Sequence, residues 1–294
     1  MLHSEQSIET SDGVRLRVER WAPEGEVRFV VAISHGGAEH VRRYEQLASE
    51  LVERGGLVFG ADHRGQGRSS GPRGHVDRFE TYAGDLRHVM LETAASLPES
   101  QRPSSIPWFL FAHSMGGLIG LIYLLDRAHD VPLRGAIVSS PLLGLTMPVN
   151  PVKLAVGKLA ARLVPRLTMP SGIPPEAICR DPEVVRRYVA DDRRVEVVSA
   201  GWFAAMNQAI SRVVQEAKTI ALPMLWYVGT GDRICDRRAT ERVFASLPQA
   251  ESRDQTLRSF EGYYHELHNE PAALRAPVVQ MLTEWIEARL DQPT

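Results

Sequence analysis

The segment Ala112-His113-Ser114-Met115-Gly116 lies between two apolar runs, Trp108 to Ala112 and Leu118 to Leu125. A serine that acts as a nucleophile needs a sharp strand-to-helix turn that lifts its Oγ above a sheet. Small residues two positions before and two after it let the backbones pass closely. The first small residue here is alanine where glycine is usual, and alanine fits many such turns. The competing reading is a hydroxyl that caps the following helix, the commoner duty of a serine at a helix start.

Three other segments supply what such a serine would need. His35-Gly36-Gly37 ends an earlier apolar run, where a backbone N–H can be aimed at a developing oxyanion, with the Met115 N–H as a second donor. Asp232 follows the run Met224 to Val228 through Gly229-Thr230-Gly231, and His265 follows the run near Thr256 to Phe260. Either residue alone reads as a loop cap or surface group. The order Ser, Asp, His, each at a strand end, is the one expected of a nucleophile, its orienting acid and its base on a strand-to-helix elbow.

These residues need a scaffold of strands ending on one side. Val14 to Trp21 alternates like a half-exposed strand, and Phe29 to Ile33, Leu57 to Ala61, Trp108 to Ala112 and Ala136 to Ser139 read as buried strands. Helical patterns over Val41 to Arg54 and Arg78 to Leu97 fall between them, the first stopped by Gly55-Gly56. This alternation predicts an α/β protein with a mostly parallel sheet and helices on both faces. From about Pro141 to Val214 the rhythm turns helical, which predicts an inserted helical cap (141–214) between two parts of one core (1–140 and 215–294). Strand rhythm resumes at Met224, followed by helices near Arg238 to Leu247 and Ala272 to Leu290.

Composition narrows the function classes. The 294 residues carry 34 basic and 36 acidic side chains, net −2, with no dense basic run, which argues against a nucleic-acid partner. Cys179 and Cys235 are too few for a disulfide framework and fit a reducing compartment. The first ten residues have neither a basic nor an apolar region, so they do not read as a secretory signal, and the chain is expected in the cytoplasm. Pro103 to Leu125 lacks charge, but Pro107 and the His113 to Gly117 cluster divide it into a strand, a turn and a helix rather than a membrane span.

Taken together, His35-Gly36-Gly37-Ala38-Glu39-His40, Asp62-His63-Arg64-Gly65, Gly71-Pro72-Arg73-Gly74-His75, His113-Ser114-Met115-Gly116-Gly117, Asp232-Arg233-Ile234-Cys235-Asp236 and Tyr264-His265-Glu266-Leu267-His268 resemble the monoacylglycerol lipase and lysophospholipase branch of the α/β hydrolases. The resemblance implies a serine esterase without cofactor, acting on single-chain acyl esters under a mobile cap. It places Ser114 as nucleophile, Asp232 as acid, His265 as base, and Gly37 and Met115 at the oxyanion positions. It also places Glu39, Arg43 and His268 near a glycerol head group, although Glu39 and Arg43 could equally form an ordinary ion pair at a helix start. Asp62 to Arg68 reads as a hydrogen-bonded loop bracing the site.

The expected reaction is hydrolysis of medium- or long-chain monoacylglycerols. A lysophospholipase or general carboxylesterase is the alternative, with a non-enzymatic ligand-binding protein behind it. Carbon-halogen and epoxide hydrolases need a carboxylate where Ser114 stands. His265-Glu266-Leu267-His268 has the wrong spacing for a zinc helix, and Gly65, Gly67 and Gly71 do not form a dinucleotide fingerprint. Cys235 either approaches the pocket or is a small buried hydrophobe. In the cap, Leu154, Ala155, Leu159, Arg162 and Leu163 form a stripe whose preferred reading is packing on the core below. A membrane interface flanked by Lys153, Lys158 and Arg166 is the other reading.

Overall fold

The computed structural model describes residues 1–127, 130–146, 157, 159–247 and 254–291. The chain starts with two antiparallel strands, β1 (Leu2–Glu9) and β2 (Arg15–Ala22). Then come β3 (Phe29–Ser34), α1 (Glu45–Val52), β4 (Gly56–Ala61), α2 (Phe79–Ser96), β5 (Trp108–His113), α3 (Met115–Arg127) and β6 (Gly135–Ser139). After β6 the chain leaves the sheet for an excursion holding β7 (Thr168–Pro170), α4 (Pro182–Ala190), β8 (Val197–Ser199) and α5 (Ala200–Glu216). It returns through β9 (Met224–Gly229), α6 (Arg237–Ser246), β10 (Gln255–Phe260) and α7 (Ala272–Glu287).

Eight strands form one sheet in the order β1-β2-β4-β3-β5-β6-β9-β10, and every pairing from β4 to β10 is parallel. Parallel sheets are covered on both faces, so their strands read as unbroken apolar runs. All residues of β3, β5, β6 and β9 are buried accordingly. One core, with α2, α3 and α5, covers one face through Phe79, Leu118 and Met206. A second, with α1 and α7, covers the other through Leu47, Val278 and Trp285. Pro103 to Leu125 holds a short loop, the strand β5 and most of α3, and among the described residues no helix is long and apolar enough to cross a membrane.

Three differences from the sequence reading have physical causes. β1 was not expected, because nearly all of its residues are exposed and carry no apolar alternation; its partner β2 defines it. The helix expected from Val41 begins instead as a 3-10 turn, Val41–Tyr44, whose first N–H donates to Asp62 Oδ1 at 2.9 Å. α5, expected within the cap, buries Trp202, Ala205, Met206 and Val213 in the same core as the sheet.

The reading that the excursion's apolar stripe packs on the core is overturned where the chain is described. Leu159 is 58% exposed and Leu163 72%, and Val164, Leu167 and Met169 are exposed beside them. Leu154, Ala155, Lys153 and Lys158 lie outside the described residues.

Candidate active site

Ser114 stands between β5 and α3 with φ +54°, a left-handed conformation that costs on the order of 1 kcal/mol for a non-glycine residue and turns the chain sharply. The turn closes because residue 116 is glycine. A Cβ there would lie 2.0 Å from the Ser34 carbonyl oxygen and 2.4 Å from that of His35. The alanine at 112 is accommodated by Gly120 opposite, where a Cβ would meet the Ala112 methyl at 2.9 Å.

The parallel sheet brings three strand ends together. His265 Nε2 lies 2.9 Å from Ser114 Oγ, and His265 Nδ1 lies 2.7 Å from Asp232 Oδ2. Asp232 Oδ1 accepts the backbone N–H groups of Ile234 and Cys235 at 2.8 and 3.0 Å. With an acceptor-only carboxylate on one side, the imidazole carries its proton on Nδ1 and presents a bare Nε2 to the serine. Burial opposes charge on His265, but Asp232, by charge and hydrogen bond, outweighs it with help from Glu266 and Glu39, and the histidine's pKa is raised.

Gly37 and Met115 are side by side: a Cβ built on Gly37 would lie 3.7 Å from that of Met115. Among the described residues neither N–H has a hydrogen-bond acceptor, so both are free to donate to an anion. The loop that carries Gly37 is fixed by Glu39, whose Oε1 accepts the Gly36 N–H at 2.5 Å and the Tyr44 hydroxyl at 2.7 Å. Asp62 braces it from below, accepting from Val41 and, through Oδ2, from the Arg68 N–H at 2.7 Å.

The three residues expected at a head group separate. Glu39 lines the chamber beside Ser114, but its second oxygen is paired with Arg43 Nη1 at 2.7 Å. Arg43 also binds both oxygens of Glu266 at 2.7 Å, and its guanidinium lies 4.7 Å from the ring of Tyr188 in α4. His268 stacks on Tyr44 at 5.0 Å, only 1% exposed and with neither ring nitrogen hydrogen-bonded; burial pushes its pKa down to about 3. Cys235 does approach the pocket, its side chain hydrogen-bonded to Ser114 and its backbone N–H donating to Asp232, while burial drives its thiol well above the usual range.

Glu266 and Tyr188 were missed in the sequence. An acid directly after the histidine was the available signal for Glu266, and nothing marked Tyr188 beyond one aromatic on a helix. Ile173, Ile178, Ile234 and Tyr188 supply the chamber's apolar wall.

The chain is similar to known proteins over most of its length. Residues 25–272 match the family described as serine aminopeptidase, S33. The chain is 31% identical over 288 residues to the monoacylglycerol lipase of Mycolicibacterium smegmatis, covering 98% of both proteins. It is 33% identical over 291 residues to an abhydrolase domain-containing protein of Dictyostelium discoideum, of which it spans 30%. The crystal structure of Paleococcus ferrophilus monoacylglycerol lipase superposes with a TM-score of 0.81 at 28% identity, covering 93% of this chain and 99% of that one.

Proposed function

This chain is a carboxylic ester hydrolase that belongs to the serine aminopeptidase S33 family of α/β hydrolases, in the monoacylglycerol lipase branch, and from that premise we propose that it cleaves monoacylglycerols to fatty acid and glycerol. Ser114 Oγ attacks the ester carbonyl as His265 Nε2 takes its proton. Asp232 holds the imidazole and stabilises the imidazolium, and the Gly37 and Met115 N–H groups receive the oxyanion. His265 then returns the proton to the leaving alkoxide, freeing glycerol and an acyl-serine. Water repeats the sequence and releases the acid.

The observation that carries this reading is the unbroken line Ser114 Oγ, His265, Asp232 beneath two free main-chain donors and beside a wall of isoleucines. The wall has the apolar chemistry that an acyl chain needs, roughly 0.8 kcal/mol per buried methylene, and the chamber of about 10 Å³ would have to widen to admit one. We further propose that residues 141–214 act as the cap. Its exposed strip from Leu159 to Met169, flanked by Arg162 and Arg166, would rest on the inner membrane surface in a cytoplasmic setting.

A panel of monoacylglycerols, lysophospholipids and aryl esters across chain lengths tests the substrate. Preference for monoacylglycerols of medium or long chain supports the reading. Preference for lysophospholipids, or equal rates on all short esters, overturns it.

A further inference from the structure

The peptide N–H groups on either side of His265 are both held by acceptors that depend on the cap. That of Tyr264 donates to Glu270 Oε1 at 2.8 Å, and that of Glu266 donates to the Ile178 carbonyl at 2.7 Å. The Glu270 side chain is 0% exposed, and a carboxylate so stripped of water needs a counter-charge. Arg180 supplies it from the cap. Its Nε lies 3.2 and 3.1 Å from the two Glu270 oxygens, and its backbone N–H donates to Oε2 at 3.0 Å. Its guanidinium lies over the rings of Tyr263 and Tyr264 at 4.9 and 5.6 Å.

The acid loop is gripped by the same segment. Arg233, next to Asp232, donates to the Glu176 carbonyl at 2.5 Å and stacks 4.6 Å over Tyr264. Residues 176–180 thus hold the loop of the acid and the loop of the base together.

We infer that Arg180 and Glu270 are positioning residues for His265, so that the cap completes the alignment of the imidazole with Ser114 and Asp232 as well as covering the chamber. His265 sits in a loop after β10, where its ring orientation follows the backbone at 264–266. A displacement of about 1 Å at such a group costs roughly 100-fold in rate. The inference rests on His265 being the general base.

The test uses the full chain and a short aryl ester, so that lipid binding plays no part. Glu270→Gln keeps the shape and one acceptor but removes the charge; Arg180→Met removes the partner; Arg180→Lys keeps the charge in another geometry. His265→Ala runs beside them.

Expected are about 10- to 100-fold losses in kcat for Glu270→Gln and Arg180→Met with KM little changed, and a double variant no worse than the poorer single. The acid limb of the rate profile should shift to lower pH as the imidazole loses its alignment with Asp232, and Arg180→Lys should recover part of the rate. A lowered melting temperature with kcat per folded molecule and acid limb unchanged overturns the inference, as do additive losses. If Glu270→Gln does not fold, Arg180→Lys against Arg180→Met decides, and equal kcat for the two overturns it. Wild-type rate in His265→Ala removes the base assignment and the inference with it.

Discussion

Arg43 and Glu266 meet through two parallel 2.7 Å hydrogen bonds although 223 residues separate them in the chain. Arg43 also holds Glu39, so one buried cation joins the oxyanion loop to the loop that carries His265. Bidentate geometry of this kind is particular to arginine.

Removing that cation should be severe. Arg43→Met leaves two buried carboxylates without their counter-charge and is expected to destabilise the fold by ~3–5 kcal/mol in denaturant unfolding. Burial raises the pKa of Glu266, but the charge and hydrogen bonds of Arg43 outweigh it and hold it at about 2, below the ordinary 4.5. A depressed carboxylate contributes stability above its unfolded pKa, and that contribution is lost as pH falls toward the folded value. Without Arg43 burial alone raises the Glu266 carboxyl, so the gap between wild type and Arg43→Met should begin to narrow above pH 4.5 and continue to do so toward pH 2. A gap that stays constant in acid would show that the pair is not the source.

Ser114→Ala should lower ester hydrolysis by roughly 10⁴- to 10⁶-fold with an unchanged melting curve, because the members of such a triad act as a unit. Met115→Ala should be mild, since its donor is the main chain. A serine variant that keeps a tenth of the rate would place the nucleophile elsewhere.

The acid limb of kcat/KM should lie above the ordinary histidine value of 6.5, because His265 must be neutral to act as base and its pKa is raised. The charged groups near it are Asp232, Glu266, Glu39 and Arg43, and His113 lies 4.7 Å away, held neutral by burial. Glu266→Gln removes one anion and leaves Arg43 less compensated, so the limb should move to lower pH. A limb that does not move, measured with a soluble ester, would mean that Glu266 does not act on His265.

What the sequence made legible were features that repeat locally. Phe29 to Ile33 and Trp108 to Ala112 read as buried strands because both sheet faces are covered, and Ser114, Asp232 and His265 were marked by the strands that precede them. β1 left no trace, because its exposed residues need bury nothing. Glu266 and Glu270 looked like surface acids, since their partners Arg43 and Arg180 lie 223 and 90 residues away. A charged side chain shows its burial only once the fold has supplied its counter-charge.

Glu39 illustrates how this changes an expected role. Both of its oxygens are occupied, by Gly36, Tyr44 and Arg43, so it shapes the oxyanion loop and has little left to offer a glycerol hydroxyl. Glu39→Ala should slow monoacylglycerols and matched alkyl esters by the same factor. Selective loss on monoacylglycerols, by about 1 to 3 kcal/mol of transition-state binding, would restore the head-group role.

The exposed strip on the proposed cap gives the last prediction. Leu159, Leu163, Val164, Leu167 and Met169 are all exposed within eleven residues of chain, and Arg162 and Arg166 are exposed among them. Isolated apolar side chains on a surface are ordinary, but a contiguous group rimmed by cations is the pattern of a segment that meets an anionic interface. None of the five residues lines the chamber around Ser114. Replacing Leu163 and Leu167 by serine should therefore leave hydrolysis of a soluble short ester within about twofold of wild type, since surface substitutions are usually worth less than ~0.5 kcal/mol. Binding to vesicles that contain anionic lipid should weaken by roughly 100-fold or more, because each of the two leucines withdrawn from the acyl boundary loses about 1.5 kcal/mol. Hydrolysis of monoacylglycerol presented in those vesicles should fall with it. Unchanged vesicle binding by cosedimentation would show that the strip does not meet lipid, and equal loss on the soluble ester would show that it supports the site instead.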